Sequence, residues 1–388
     1  MAGLDRVVSG ATPALARQLN LRRVLGLLRH GPRLSRAELT RLSGTSAPTM
    51  SKLLESLKAA GLVMELESPA GGRGRPSKSY ALSGRGVQVF GAVVGVRECR
   101  IFSAPLAWDA PKSVELTFPT PGGYAELLGR FRGFVEARLG EGGERPALAL
   151  TAPGLVDTTA QRVVVCPNLR WLSGRSLASD VARGFALETV TLQEEHALCL
   201  AEQALGNVGD ARDFVVLDVS EGMGMGMVSG GVYVSGAQGF SGEIGHIPMV
   251  DGGELCGCGR RGCLETVATD TALLRLASRT QGRPLDMEAL RLELRRGAPG
   301  LDAALVQVLD YLAKAVAMVV NIFNPELVLV NGGLLSLGQD VLGRLGAAVG
   351  NYALAPSWER CELRRATAGR DAGVLAAAAE LVLMRPLG

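Results

Sequence analysis

The chain has 388 residues, 47% of them hydrophobic and 51 of them glycine, which is more than one typical domain and suits two or three cores joined by many tight turns. It contains no run of 18 apolar residues, and its opening MAGLDRVVSG lacks a secretory apolar segment, so a cytoplasmic protein without a membrane span is expected. The net charge of +3 is unevenly divided: residues 1–85 hold 14 Lys/Arg against 5 Asp/Glu and the rest hold 27 against 33. A basic head on an acidic body suits a polyanionic partner, although a merely solvated cationic surface would read the same from charge alone.

In the head, Leu21, Val24, Leu25, Leu27 and Leu28 recur at helical spacing until Gly31-Pro32 stops them. Ser35 is placed to cap a short helix over Arg36 to Leu42, and Ser43-Gly44-Thr45 makes a turn. Ser46 then caps a third helix with Pro48 in its first turn, where a missing N–H costs nothing. Met50, Leu53, Leu54 and Leu57 form its inner face, and Gly61 ends it. Helix, tight turn and helix is the geometry that carries the second helix into a major groove, which would bring Ala47, Pro48, Thr49, Ser51 and Lys52 to base edges or phosphates. Strands at 62–66 and 79–82 flank the basic loop Gly71-Gly72-Arg73-Gly74-Arg75-Pro76-Ser77-Lys78, a wing that would lay Arg73 and Arg75 along the DNA. A helical protein-interaction module is the alternative for this head.

From about residue 86 strands alternate with helices, as in an α/β protein. Residues 91–96, 146–150, 214–219 and 327–330 read as buried strands. Glycine-rich turns follow several of them: Ala152-Pro153-Gly154, Gly222-Met223-Gly224-Met225-Gly226 and Gly332-Gly333. Such turns bring backbone N–H groups near a phosphate or sugar, though each alone is equally plain strand–loop packing.

His246, Cys256, Cys258 and Cys263 fall within 18 residues, with Gly257, Gly259 and Gly262 between the cysteines. A His/Cys₃ set suits tetrahedral Zn²⁺ and leaves no position for water, so the site reads as structural, against a redox pair or chance clustering of small buried cysteines. Cys99, Cys166, Cys199 and Cys361 are scattered and outline no disulfide framework.

Together these segments resemble the ROK family (repressors, open reading frames and sugar kinases), its transcriptional repressors in particular, over nearly the whole chain. The resemblance is carried by Arg73-Gly74-Arg75-Pro76 at the end of the head, by Gly239-Phe240-Ser241-Gly242-Glu243-Ile244-Gly245-His246, by the run from Cys256 to Glu265, and by Asn324-Pro325-Glu326 before Gly332-Gly333. It implies an α/β chain: a winged helix-turn-helix over residues 1–85, then over 86–388 a two-lobed actin-like ATPase fold with a structural zinc loop beside a sugar cleft between the lobes. The family's sugar-binding positions fall on Asn168, Glu194, Glu243, His246 and Glu265, with His246 serving zinc through one ring nitrogen and a hydroxyl through the other.

Kinases of the family carry Asp-x-Gly-Gly-Thr where this chain has Val93-Val94-Gly95-Val96-Arg97, and an Asn-Asp pair where it has Gln193-Glu194. Ser220-Glu221 also places a negative charge at the second phosphate turn. Phosphoryl transfer depends on positioning and electrostatics, so these losses predict little or no kinase activity. The expected protein is a sugar-responsive regulator, most simply a repressor of carbohydrate-metabolism genes, which binds double-stranded operator DNA as a homodimer or higher oligomer. The alternatives are an ATP-dependent sugar kinase with a DNA-binding head, and a repressor governed by a protein partner.

Overall fold

The computed structural model describes residues 13–30, 33–67, 78–83, 88–106, 114–139, 146–205, 207–338 and 340–384. The expected break near residue 85 and the expected wing arginines Arg73 and Arg75 lie outside the described residues. The chain forms two compact units: one holds residues 1–150, 177–190 and 374–388, the other residues 151–176 and 191–373.

The head comprises α1 (Pro13–His30), β1 (Leu34–Ser35), α2 (Arg36–Ser43), α3 (Ala47–Ala59), β2 (Val63–Glu67) and β3 (Lys78–Leu82). Both predicted caps form. The Ser35 side chain accepts from Glu38 N while Ser35 N donates to the Glu38 carboxylate at 2.7 Å, a reciprocal capping box. The Ser46 side chain accepts from Thr49 N. Leu21, Val24, Leu25 and Leu28 of α1 are buried, as are Leu39 of α2 and Met50, Leu53, Leu54 and Leu57 of α3; Leu27 is only partly covered. The three-stranded sheet runs β1-β3-β2. Its two-residue member β1 pairs Leu34 with Tyr80 and is too short to leave any periodicity in the sequence.

Next come β4 (Gln88–Val94), β5 (Glu98–Pro105), β6 (Val114–Pro119), α4 (Tyr124–Leu139) and β7 (Ala147–Thr151). The hairpin of β8 (Leu155–Asp157) and β9 (Arg162–Val165) belongs to the second unit, and α5 (Leu177–Ala182) to the first. With β10 (Glu188–Leu192) the five-stranded sheet runs β10-β7-β4-β5-β6. The segment expected to hold a phosphate loop is the β4–β5 hairpin turn: Val94 pairs with Cys99, and Gly95 N donates to Glu98 O at 2.9 Å.

The second unit continues with α6 (Glu194–Ala204), β11 (Phe214–Asp218), β12 (Gly224–Ser229), β13 (Val232–Tyr233), α7 (Asp270–Gln281), α8 (Met287–Arg295), α9 (Leu301–Phe323), β14 (Leu327–Asn331), α10 (Val341–Val349), α11 (Ala355–Trp358) and β15 (Glu362–Arg365). The last helix, α12 (Arg370–Met384), begins in this unit. Its sheet runs β13-β12-β11-β14-β15, with β11, β14 and β15 parallel and β12 and β13 antiparallel to their neighbours. Every residue of β11 is buried, so the strand reads as a continuous apolar run ending in Asp218.

Helix α9 is long and apolar enough to cross a membrane by composition, but 61% of that stretch is buried. Leu305, Val308, Leu312, Val316 and Val320 make it the central helix of this unit's core. Asn324 ends it in the left-handed conformation, φ 48°. Glu326 then accepts from Arg212 N at 3.2 Å and Asp213 N at 3.3 Å, while its own N–H donates to Asp213 O at 2.8 Å. Asn324-Pro325-Glu326 therefore stops the helix and ties the start of β14 to the start of β11.

Glu202 of α6 is fully buried. It accepts from Thr367 N at 2.7 Å, Ala368 N at 2.8 Å and Asn207 Nδ2 at 2.8 Å, which secures the chain between β15 and α12. Glu202→Ala leaves the buried Ala368 amide and the part-buried Thr367 amide without their acceptor and should cost roughly 2–3 kcal/mol, whereas Glu202→Gln keeps an acceptor oxygen and should cost less. Denaturant unfolding of the two variants beside the parent checks this, and equal losses would contradict it.

Candidate metal centre and ligand site

The segment after β13 doubles back on itself through short turns. Pro248 pairs with Cys263 and Leu255 with Arg261, while Cys256 N donates to Arg260 O at 2.8 Å and Gly259 N to Cys256 O at 2.9 Å. Gly262 sits at φ 71°, and a Cβ there would fall on the carbonyl oxygen of Val250. Gly257, counted with it in the sequence, has open space around it, so steric need explains Gly262 and not Gly257.

This geometry brings His246, Cys256, Cys258 and Cys263 together with all four donor atoms within 4.8 Å of one another. Cys256 Sγ lies 3.5 Å from His246 Nδ1, and Cys258 Sγ lies 3.7 Å from Cys263 Sγ. A tetrahedral zinc with about 2.3 Å Zn–S and about 2.0–2.1 Å Zn–N bonds separates its ligands by about 3.6 Å for N···S and about 3.8 Å for S···S. The Cys256–His246 and Cys258–Cys263 pairs stand at that spacing, and the remaining donor pairs lie within 4.8 Å. Burial pushes the Cys256 and Cys263 thiols up, and a bound cation would reverse that by demanding thiolates.

Three of the five predicted sugar ligands gather beside this set. His246 turns Nδ1 to the sulfurs and Nε2 towards Glu243, whose Oε2 is 3.6 Å away. Glu265 follows Cys263 by two residues; its Oε1 lies 3.5 Å from Cys256 Sγ and its Oε2 accepts from Met223 N at 3.3 Å. Burial pushes the Glu243 carboxyl up, and the nearby Glu265 charge adds to this while His246 opposes it. Gly242, at φ 92°, leaves no room for a Cβ against Met225 O, and Met225 N donates to Gly242 O at 2.9 Å, which fixes the Glu243 turn to β12.

The other two predicted ligands share no hydrogen bond or ion pair with these three among the described residues. Glu194, at the first turn of α6, has Oε1 3.2 Å from Arg370 Nε, and Arg370 also bonds Asp218 through Nη2. Burial works against the Arg370 charge, but Glu194 and Asp218 outweigh it and hold the guanidinium protonated. Asn168 is exposed after β9, and among the described residues no hydrogen bond joins its side chain to Glu243, His246 or Glu265. Arg370 escapes sequence reading because its partners lie 176 and 152 positions away, with no motif to link them.

Two of the three glycine-rich turns, those after β11 and β14, have found acceptors within the chain. Asp218 Oδ1 accepts from Ser220 N at 3.1 Å, Ser220 Oγ at 2.7 Å and Asn331 Nδ2 at 3.1 Å. Glu265 takes Met223 N, and Asp270 accepts from Gly333 N at 2.5 Å and Leu334 N at 2.7 Å. Four amides of the turns expected to cradle phosphates thus point at carboxylates of the same unit. Burial pushes the Asp270 carboxyl up to about 6 in spite of those two N–H groups.

In the head, Ala47, Pro48 and Lys52 are exposed on the first half of α3, and Thr49 and Ser51 are half-buried. Thr49 Oγ1 meets Ser46 Oγ at 2.8 Å. Ser51 Oγ donates to Ala47 O at 3.1 Å and accepts from Arg36 Nη1 at 3.2 Å, so it is already engaged.

A winged helix-turn-helix head and a body with a sugar-kinase-like sheet and a His/Cys₃ loop define the class. The chain belongs to the ROK family, which residues 113–384 match, and residues 22–74 match the MarR family. It is 27% identical over 356 residues to the DNA-binding transcriptional dual regulator NagC of Escherichia coli K12, covering 88% of this chain and 86% of that one. Thermotoga maritima glucokinase is 30% identical over 253 residues, covering 61% of this chain and 80% of the glucokinase. The crystal structure of a ROK family transcriptional regulator, a homologue of the E. coli MLC protein, superimposes with TM-score 0.80 at 24% identity, over 95% of this chain and 97% of that one. The fold, head included, is shared.

The His/Cys₃ set should take up one Co²⁺ per chain with the ligand-field absorption of a tetrahedral thiolate site, and Cys256→Ser should weaken that spectrum; octahedral bands in the parent would contradict the geometry. Asp270 binds a proton more tightly folded than unfolded, so its stabilising contribution is complete below about pH 4 and is lost as pH rises through about 6. Asp270→Asn, which never ionises, should therefore gain in melting temperature relative to the parent as pH rises from 4 to about 6. A difference that stays constant across this range would remove the inference.

Proposed function

We propose that this protein is a sugar-responsive transcriptional repressor of carbohydrate-metabolism genes, acting in the cytoplasm as a dimer or higher oligomer. In this reading the head, ending near residue 85, binds operator DNA through Ala47, Pro48, Thr49, Ser51 and Lys52 on α3 and through Arg73 and Arg75 of the wing. Glu243, His246 and Glu265, with Glu194 and Asn168, bind the sugar, and Zn²⁺ on His246, Cys256, Cys258 and Cys263 holds their loop in place. Similarity to a DNA-binding regulator across head and body alike supports it.

The observation that carries the reading is the joining of a winged helix to a body whose phosphate-type turns are occupied by its own carboxylates. A nucleotide would have to displace Asp218, Glu265 and Asp270 from paired amides and approach Glu221 as well. Each displaced, partly buried hydrogen bond costs on the order of 1 kcal/mol before any charge repulsion is counted. The resemblance to a glucokinase favours an enzyme on identity alone. The valine at position 93 and the glutamate at 194 weigh against it, because phosphoryl transfer tolerates neither a lost charge nor a displaced base.

A sugar acts as an inducer only if it binds the DNA-competent form more weakly than the other form. Fluorescence anisotropy on DNA from upstream of the protein's own gene, titrated with a panel of mono- and disaccharides, tests this. One sugar should release the protein, Glu243→Ala should abolish that release while leaving DNA affinity within about twofold, and no sugar should stimulate ADP formation from ATP. Tight binding that no sugar disturbs would reject sugar control and favour a protein partner; ADP formation would restore the kinase.

A further inference from the structure

A groove of about 750 Å³ runs between α1 and α3. Arg17 and Asn20 line it from α1, and Pro48, Thr49, Lys52 and Glu55 from α3. Arg17 is anchored across the groove, its Nη2 donating to Ser56 Oγ at 3.0 Å. That bond uses one of five guanidinium donors and fixes the side chain, so the remaining donors are held ready instead of sampling solvent. Among the described residues neither Arg17 nor Lys52 has a carboxylate within ion-pair distance. Two cations and a side-chain amide therefore share one open groove with a single acid, Glu55.

We propose that this groove seats a backbone phosphate of DNA, held by Arg17 and Lys52 with the Asn20 amide as a further donor. The proposal rests on the DNA-binding reading of the head and extends it to α1, which the helix-turn-helix pattern alone does not bring to the duplex. Phosphodiester oxygens suit a guanidinium fork beside an ammonium. Lys52 and Thr49 lie on the half of α3 that enters the major groove, so the strand flanking that groove passes beside them. Contacts of this kind position the protein and carry no sequence information.

The test is salt-dependent anisotropy of the full-length protein on two duplexes, one from upstream of its gene and one unrelated. Because a phosphate contact is blind to sequence, Arg17→Ala should weaken both duplexes alike, roughly five- to tenfold at 0.1 M salt, and should lower the slope of log affinity against log salt by about 0.9. Ser56→Ala cuts the anchoring bond but leaves the cation, and Arg17→Lys keeps the charge; both should retain most of the parent slope. Glu55→Gln should strengthen both duplexes. Melting curves of each variant establish that the head is folded. An Arg17→Ala slope equal to the parent's, or equal weakening in Arg17→Ala and Ser56→Ala without a slope change, would make Arg17 a brace for α3 and overturn the proposal. A parent protein that binds neither duplex would instead overturn the DNA-binding reading, which is a different result.

Discussion

A buried backbone N–H must find an acceptor, and this requirement organises much of the second unit. Turns rich in glycine expose amides that a phosphate can satisfy. Here Asp218, Glu265 and Asp270 satisfy them, and Arg370 in turn balances Asp218 against Glu194. These bonds tie the turn after β11 to the end of that strand and the turn after β14 to the start of α7. In this chain the amides of the turns after β11 and β14 therefore meet carboxylates of the same unit.

The zinc-type loop is the second fixed point. The Gly262 and Gly242 backbones exclude side chains and press the loop against Val250 and β12. Glu243, His246 and Glu265 are then held in register with the three cysteines. His246 alone would belong to both the metal set and the candidate ligand site, so a change at that residue would touch both.

Patterns that act locally were legible in the sequence. Ser35 and Ser46 as caps, the inner face of α3 and the His/Cys₃ spacing all rest on interactions spanning fewer than about 20 residues, and each is found at its expected place. What was not legible depends on distance along the chain. Arg370 meets Glu194 and Asp218 only because α12 begins where it does, and Asp270 reaches Gly333 across 63 residues. β1 escaped for the opposite reason, since two residues carry no period. Asn168 shows a third limit: a position carried over by similarity is exposed, and among the described residues no hydrogen bond ties its side chain to Glu243, His246 or Glu265.

The orientation of His246 has one consequence beyond structure. With Nδ1 facing the sulfurs, a cation there would leave the ring proton on Nε2 alone, so the ring could only donate towards Glu243 and anything seated between them. Without the cation, both tautomers are open and Nε2 could either donate or accept on that side. Metal occupancy would in this way set the polarity of the contact between His246 and Glu243.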